Sequence, residues 1–475
     1  MKYRQLIRFA LLPALMALVA TACEDEINFE GPQAPDAKPG ESVLYIEDNT
    51  GGTGYANMEF RNSGTIDFTV KLTNPRTSDV DVRFAYDPSG LDEYNAANET
   101  EFEAVPQSLV TLGNGGASHI AAGQTESAPM TVTLTSDGSL TYEKTYVIPL
   151  RISTSDTRGF ESRGAVNGDV KLIFVHDNTN MPDCVKTVIG DDGEEKEAIK
   201  LFCCMEMGDS HPLNVLSYTL KNSGKCMFDA LILFSGNINY NVEEQRAYFY
   251  ANKDITYCLN HYDELLKPLK DRGIKIIMGI MGNHDRAGVA NLWPETAERF
   301  AKEVHALCEA YDLDGVFWDD EYTAYQNAPG FYPYGSSTAW SYLAYQIWKL
   351  QPDKWQITYH YGSASSASEY DGVQGGTYID YAVPDYAWYF SNLGVFYPGM
   401  PKDHWGSISV ECTGRYWTNR TLLKRARDEG WGPVMLFAFT PERNTREMQE
   451  QTMRDIADVL YDDTMVVGQT YVKTW

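Results

Sequence analysis

Residues 312–322 read DLDGVFWDDEY, and Asp319, Asp320 and Glu321 leave an apolar run of strand length directly. Side chains alternate along a strand, so Phe317, Asp319 and Glu321 share one face while Val316, Trp318 and Asp320 share the other. Two positions along a strand span about 6.6 Å, close enough for each carboxylate to raise the pKa of the other. One carboxyl then stays protonated near neutral pH. The chemistry on offer is general acid–base catalysis, a proton donor beside a permanent anion.

The elements that must position these acids follow from the flanking sequence. Apolar runs of strand length, ALILFSGNI, IKIIMGIMGNHD, LDGVFWDDEY, WQITYHYG, IDYAVPDYAWYF, WGSISVEC and GPVMLFAFT, alternate with helical patterns. Those patterns are YCLNHYDELLKPLKDRG, PETAERFAKEVHALCEAYD, SSTAWSYLAYQIWKLQPD and TREMQEQTMRDIADVLY. Parallel βα units buried on both faces have this signature. About eight strands in residues 199–475 predict an α/β fold, a (β/α)8 TIM barrel, whose sites lie at the C-terminal ends of its strands. That is where Asp319 and Glu321 fall. No Gly-rich phosphate turn supports the competing doubly wound sheet.

Ahead of the barrel, residues 41–176 carry short β-rich runs such as TIDFTVKLT, PMTVTLT and TYVIPLRIST between turn signals, which predicts a small all-β sandwich domain. Its YNAANETEFEAVP stretch resembles the N-terminal domain placed before catalytic domains in Bacteroidetes surface lipoproteins. Residues 177–198 are expected to be a linker, and 23–40, polar with three prolines, a tether. Residues 1–22 have a basic start, a short apolar stretch and small residues before Cys23, the pattern of an export signal. The ATAC ending resembles a bacterial lipoprotein box. It implies cleavage before Cys23, lipid attachment there and anchoring in the outer membrane; the acids at 24–26 resemble a surface-export tag, which implies exposure at the cell surface.

Bulk numbers exclude other classes. With 66 acidic and 39 basic residues the net charge is -27, which repels phosphate backbones and argues against a nucleic-acid partner. Seven cysteines follow Cys23, an odd count without regular spacing, so no disulfide framework is expected and most are read as small buried apolar residues. There is no CxxC or HExxH, and neither a metal nor a cofactor is expected. Aromatics at 13% suit sugar ligands and β-rich proteins alike.

The acidic segment resembles the active-site strand of glycoside hydrolase family 18, DGxDxDxE, here Asp314, Gly315, Phe317 in place of the middle acid, Asp319 and Glu321. It is similar in particular to endo-β-N-acetylglucosaminidases of the endoglycosidase H type, through DDEY, NINY at 237–240, LKPLKDRGIKI, GNHDRAGVANL and DYAW. The resemblance implies hydrolysis of the N,N'-diacetylchitobiose core of N-glycans on a glycoprotein by a substrate-assisted retaining reaction. Glu321 would protonate the leaving oxygen and later activate water, and Asp319 would orient the substrate's acetamide. A tyrosine from a later strand would hold the acetamide oxygen, with Tyr389 the first candidate and Tyr386 the second. Phe317 should leave Asp319 without its usual proton-sharing partner. Asn237, Asn283 and His284 close neighbouring strands and could bond sugar hydroxyls or cap loops; Tyr359 and Trp388 could stack on sugars or pack in the core.

Three other readings stay open at this level. MGNHD at 281–285 with DSH at 209–211 resembles metallophosphoesterase motifs, though that family's GDxxD and GHxH are missing. A surface glycan-binding protein that has lost turnover would fit Phe317. A chitinase is the nearest enzymatic alternative.

Overall fold

A computed structural model describes residues 42–142, 144–154, 169–180, 183–190, 193–443 and 445–475. The expected signal peptide, Cys23 and the tether lie outside the described residues. The chain divides into two compact units, described over 42–180 and 183–475.

The first unit is built from two sheets. One orders the strands Leu44–Asp48, Ser63–Leu72, Met130–Thr135 and Val110–Leu112; the other orders Ala56–Phe60, Val170–Asp177, Tyr146–Thr154, Val80–Tyr86 and Ala117–Ile120. Alternation sorts each strand: Ile66, Phe68, Val70 and Leu72 are buried while their sequence neighbours are not. Phe68 and Phe84, from different sheets, stack at 6.2 Å in the shared core. A helix over Ser89–Asn98 interrupts the β pattern and is absent from the sequence expectation. It buries only Leu91 and Tyr94 among its large side chains, against Phe102 and Phe174. Asn95 stitches the chain leaving it, accepting from Phe102 N–H at 3.1 Å and donating to Phe102 O at 2.9 Å.

The second unit is a barrel of eight parallel strands: β1 (Leu201–Glu206), β2 (Ala230–Asn241), β3 (Lys275–Met281), β4 (Gly315–Trp318), β5 (Trp355–His360), β6 (Tyr381–Pro384), β7 (Ile408–Glu411) and β8 (Val434–Phe437). Between β6 and β7 the ring is joined by Gly406 N–H donating to Ala382 O at 2.7 Å and by Ser409 Oγ donating to Pro384 O at 2.8 Å. Strand periodicity sends two sets of side chains to two cores. Phe202, Cys204, Ile232, Ile277, Phe317, Ile357 and Val383 fill the interior, while Val316, Trp318, Cys203 and Leu231 face the outer layer.

That outer layer is less regular than a simple βα repeat predicts. Long helices follow β3 (α1, Pro294–Ala310), β4 (α2, Ser337–Leu350), β7 (α3, Arg420–Asp428) and β8 (α4, Arg446–Tyr461). After β2 the expected single helix is broken at His261 and Leu266 into three short pieces. Among the described residues, β1, β5 and β6 are followed only by short turns of helix and extended segments.

The linker expectation needs correction. Residues Thr187–Ile189 and Glu195–Glu197 pair as antiparallel strands, Cys184 and Val188 are buried in the barrel's outer core, and Lys186 forms a buried ion pair with Asp229 at 2.7 Å. The polar composition hid an alternating, half-buried strap. All seven cysteines in the described residues are free and buried.

Candidate active site

The first residues of the acidic motif build the strand, and its last residues lie just beyond the strand's end. Asp314 is buried and anchors β4 to β3, accepting from Ile276 N–H at 2.8 Å and meeting Lys275 Nζ at 3.2 Å. Gly315 has φ +153, and a Cβ there would lie 2.0 Å from Trp355 O on β5, so only glycine fits. Phe317 then points into the barrel and packs edge-on to Phe234 at 6.3 Å.

Two residues on, Asp319 sits above that apolar plug. It is 3% exposed, and its Oδ1 has no hydrogen-bond partner. Burial foremost, and then the charges of Glu321, Asp320 and Asp385, push its pKa up to about 8. The Glu321 carboxyl is half-buried and is also raised, by burial first and then by Asp385 and Asp320. Both carboxyls are therefore harder to ionise than isolated ones. Asp319 is the more thoroughly buried of the two. Asp320, on the opposite face, has both oxygens engaged, accepting from Tyr325 Oη and from Ser363 N–H at 2.6 Å.

The loop carrying Glu321 is zipped to the loop after β3. Gly282 N–H donates to Glu321 O at 3.1 Å and His284 N–H to Tyr322 O at 2.6 Å. A Cβ on Gly282 would stand 2.4 Å from that Glu321 carbonyl, so the close approach requires glycine. Asn237 is buried and spends its amide on Gly282 O at 3.1 Å, and the His284 ring packs edge-on to Tyr322 at 5.4 Å. Asn237 thus holds the loop after β3, and His284 packs on the loop carrying Glu321; Asn283 is exposed at the same turn.

An aromatic wall from β5, β6 and β8 faces the acids. Tyr359 is buried, contributes to the interior core and donates its hydroxyl to Asp385, so it packs and positions instead of offering an open face to a sugar. Asp385 also accepts from Tyr386 N–H at 2.7 Å. Tyr386 lies against Tyr359, Phe437 and Tyr416 at 6.1, 5.5 and 5.8 Å. Its hydroxyl is raised by burial and by the charges of Cys204, Glu321, Glu411 and Asp319, so the phenol stands within electrostatic reach of both acids. The Tyr389 ring packs on His360 at 5.8 Å against the outer core, and its N–H goes to Ser407 O at 2.8 Å. The expected single strand breaks after Pro384 and resumes at Ala387–Trp388, paired antiparallel to β7, so Tyr386 and Tyr389 stand in different packing environments.

Trp388 is 52% exposed and lines a shallow groove of about 710 Å³ with Asn419, Arg420, Thr421, Leu422 and Asp455 of the α3 and α4 helices, on the flank and not among the acids. Asp385 and Tyr416 escape the sequence reading; of these only Asp385, an acid just past a strand's end, carries a signal there. His211 of the metal-site reading has other partners. His211 accepts from Leu213 N–H at 3.2 Å and packs on Tyr471 and Trp475, and among the described residues no group of three metal-binding side chains forms.

Comparisons with known proteins bear on both units. A family model described as an N-terminal domain matches residues 39–159. Endo-beta-N-acetylglucosaminidase F1 of Elizabethkingia meningoseptica is 42% identical over 289 residues, 60% of this chain and 84% of that protein. An endo-beta-N-acetylglucosaminidase of Flavobacterium sp. (strain SK1022) is 32% identical over 235 residues, 49% of this chain and 73% of the relative. Among solved structures, Bacteroides thetaiotamicron EndoBT-3987 with a Man5GlcNAc product superimposes with a TM-score of 0.58 at 28% identity, covering 90% of this chain and 97% of the other. The same protein in complex with a Man9GlcNAc2Asn substrate gives a TM-score of 0.58.

Proposed function

The chain belongs to the endo-β-N-acetylglucosaminidases, and on that premise we propose that it cleaves the β-1,4 bond of the N,N'-diacetylchitobiose core of N-glycans, as a family 18 glycoside hydrolase using substrate-assisted retaining catalysis. The observation that carries the reading is the convergence of Asp319, Glu321 and Tyr386 at the C-terminal mouth of the barrel. The Man5GlcNAc and Man9GlcNAc2Asn complexes of the structural relative support a high-mannose substrate.

In the proposed reaction Asp319 and Glu321 hold one proton between them. An acetamide N–H donated to Asp319 stabilises its carboxylate, which moves the proton onto Glu321, where the leaving oxygen needs it. The acetamide carbonyl oxygen attacks the anomeric carbon as Glu321 protonates the departing glycosidic oxygen. Tyr386 Oη donates to the acetamide oxygen, and the Asp319 carboxylate offsets the positive charge growing on the oxazolinium. Glu321, now ionised, takes a proton from water, which adds to the anomeric carbon as its bond to the acetamide oxygen breaks, restoring the acetamide and releasing a product of retained configuration.

Incubation with a high-mannose glycoprotein tests this. Mass spectrometry should find one N-acetylglucosamine left on Asn, and Glu321→Gln should abolish that loss while still binding the glycan. Binding without cleavage by the wild type would point to a glycan-binding protein, and cleavage of chitin oligomers in preference would point to a chitinase. For location we propose a lipid anchor on Cys23 in the outer membrane, with the protein at the cell surface; the ATAC box and the acids after it support this. Cys23→Ser should release the protein from membrane fractions, and retention would count against it.

A further inference from the structure

We infer that Tyr416, on the loop after β7, is a positioning residue that sets the plane of the Tyr386 ring for catalysis; this rests on the proposed role of Tyr386 at the acetamide. Three rings fence Tyr386, and they are not equivalent. Tyr359 and Phe437 come from barrel strands and join the interior core, at interplanar angles of 50° and 43° to Tyr386. Tyr416 is 48% exposed and comes from a loop, yet its ring lies within 7° of parallel at 5.8 Å. Tyr386 itself sits on the turn just beyond β6, past the last paired residue of that strand, so ladder hydrogen bonds do not fix its ring.

The loop is built to present that ring. Residues 411–415 fold back on Glu411, whose carbonyl accepts Arg415 N–H at 3.1 Å and whose carboxylate accepts Thr413 Oγ1 at 2.9 Å. Gly414 follows with φ +122, and Tyr416 adopts φ +53, a left-handed conformation that a large side chain occupies only when its surroundings impose it. Stacking on Tyr386 is the contact at hand that could do so. A core function does not account for a half-exposed ring on a strained backbone; orienting the phenol on the barrel's catalytic side does.

Steady-state kinetics on a high-mannose Asn-linked glycopeptide test the assignment. Tyr416→Ala should lower kcat about tenfold with KM within about twofold, as expected for the loss of one aromatic stack felt in the transition state. Tyr416→Asn, which tolerates the left-handed backbone, should do the same and separates the ring from any folding defect of the alanine variant. Tyr416→Phe should stay within about twofold of wild type. In a Tyr386→Phe background, Tyr416→Ala should cost less than about twofold more, because the partner it acts through is already gone. A rise in KM at unchanged kcat, a Tyr416→Phe variant as slow as Tyr416→Ala, or an undiminished loss in the Tyr386→Phe background would each overturn the inference. Failure of the wild type to cleave the glycopeptide would instead bring down the functional reading beneath it.

Discussion

Asp319 and Asp320 are chain neighbours of one residue type, 3% and 8% exposed, and they occupy opposite sides of β4. The outward side supplies a complete set of donors: Tyr325 Oη and Ser363 N–H satisfy Asp320, which thereby ties the loop after β4 to the turn after β5. The inward side supplies Phe317 below and no donor to Asp319 Oδ1. Burial alone therefore does not mark a catalytic acid. What separates the two is whether the fold pairs the charge, which fixes a loop, or leaves it unpaired beside other carboxylates, which stores a proton.

The comparison can be broken from either side. Glu321→Gln removes the donor and should lower kcat by about 10³–10⁴ without loss of glycan affinity, measured by glycopeptide turnover and binding titration. Asp319→Asn should lower kcat by about 10²–10³. The same change should stabilise the fold at alkaline pH. Asp319 has a pKa of about 8 in the folded chain, against about 3.9 when unfolded, so the folded state binds the proton more tightly. Its contribution is complete below about pH 3.9 and is lost as pH rises through about 8. Denaturant melts at pH 9 should therefore favour Asp319→Asn by about 3–5 kcal/mol, with little difference near pH 4.

Asp320→Ala should move stability the other way. It leaves the Tyr325 hydroxyl and the Ser363 N–H without their acceptor and should cost about 3 kcal/mol in the same melts. The smallest contrast separates the two tyrosines. Tyr386→Phe should lower kcat about tenfold, while Tyr389→Phe, a change in the outer packing, should stay within about twofold. Equal effects at both positions would blur the division between the mouth and the outer layer.

Much of this division is legible in the chain. An apolar run ending in three acids marks a buried strand and its functional end, and the two-residue period places Phe317, Asp319 and Glu321 on one face. The α1, α2 and α4 helices are long and amphipathic enough to be seen. What escapes is set by tertiary contacts. How far each acid is desolvated depends on how deep it lies, which the period does not report. The break after Pro384 gives Tyr386 and Tyr389 different surroundings, which the strand period does not report. The helix Ser89–Asn98 buries too few side chains to announce itself, and the strap around Val188 hides in a polar stretch because only its alternate residues are covered.

Carboxyl-carbon NMR of the protein labelled at aspartate, titrated from pH 4 to 10 in the wild type and in Asp319→Asn, tests the central claim most directly. The account predicts one aspartate signal that titrates near pH 8 in the wild type and is missing from the variant. An Asp319 signal that titrates near pH 4 would contradict it.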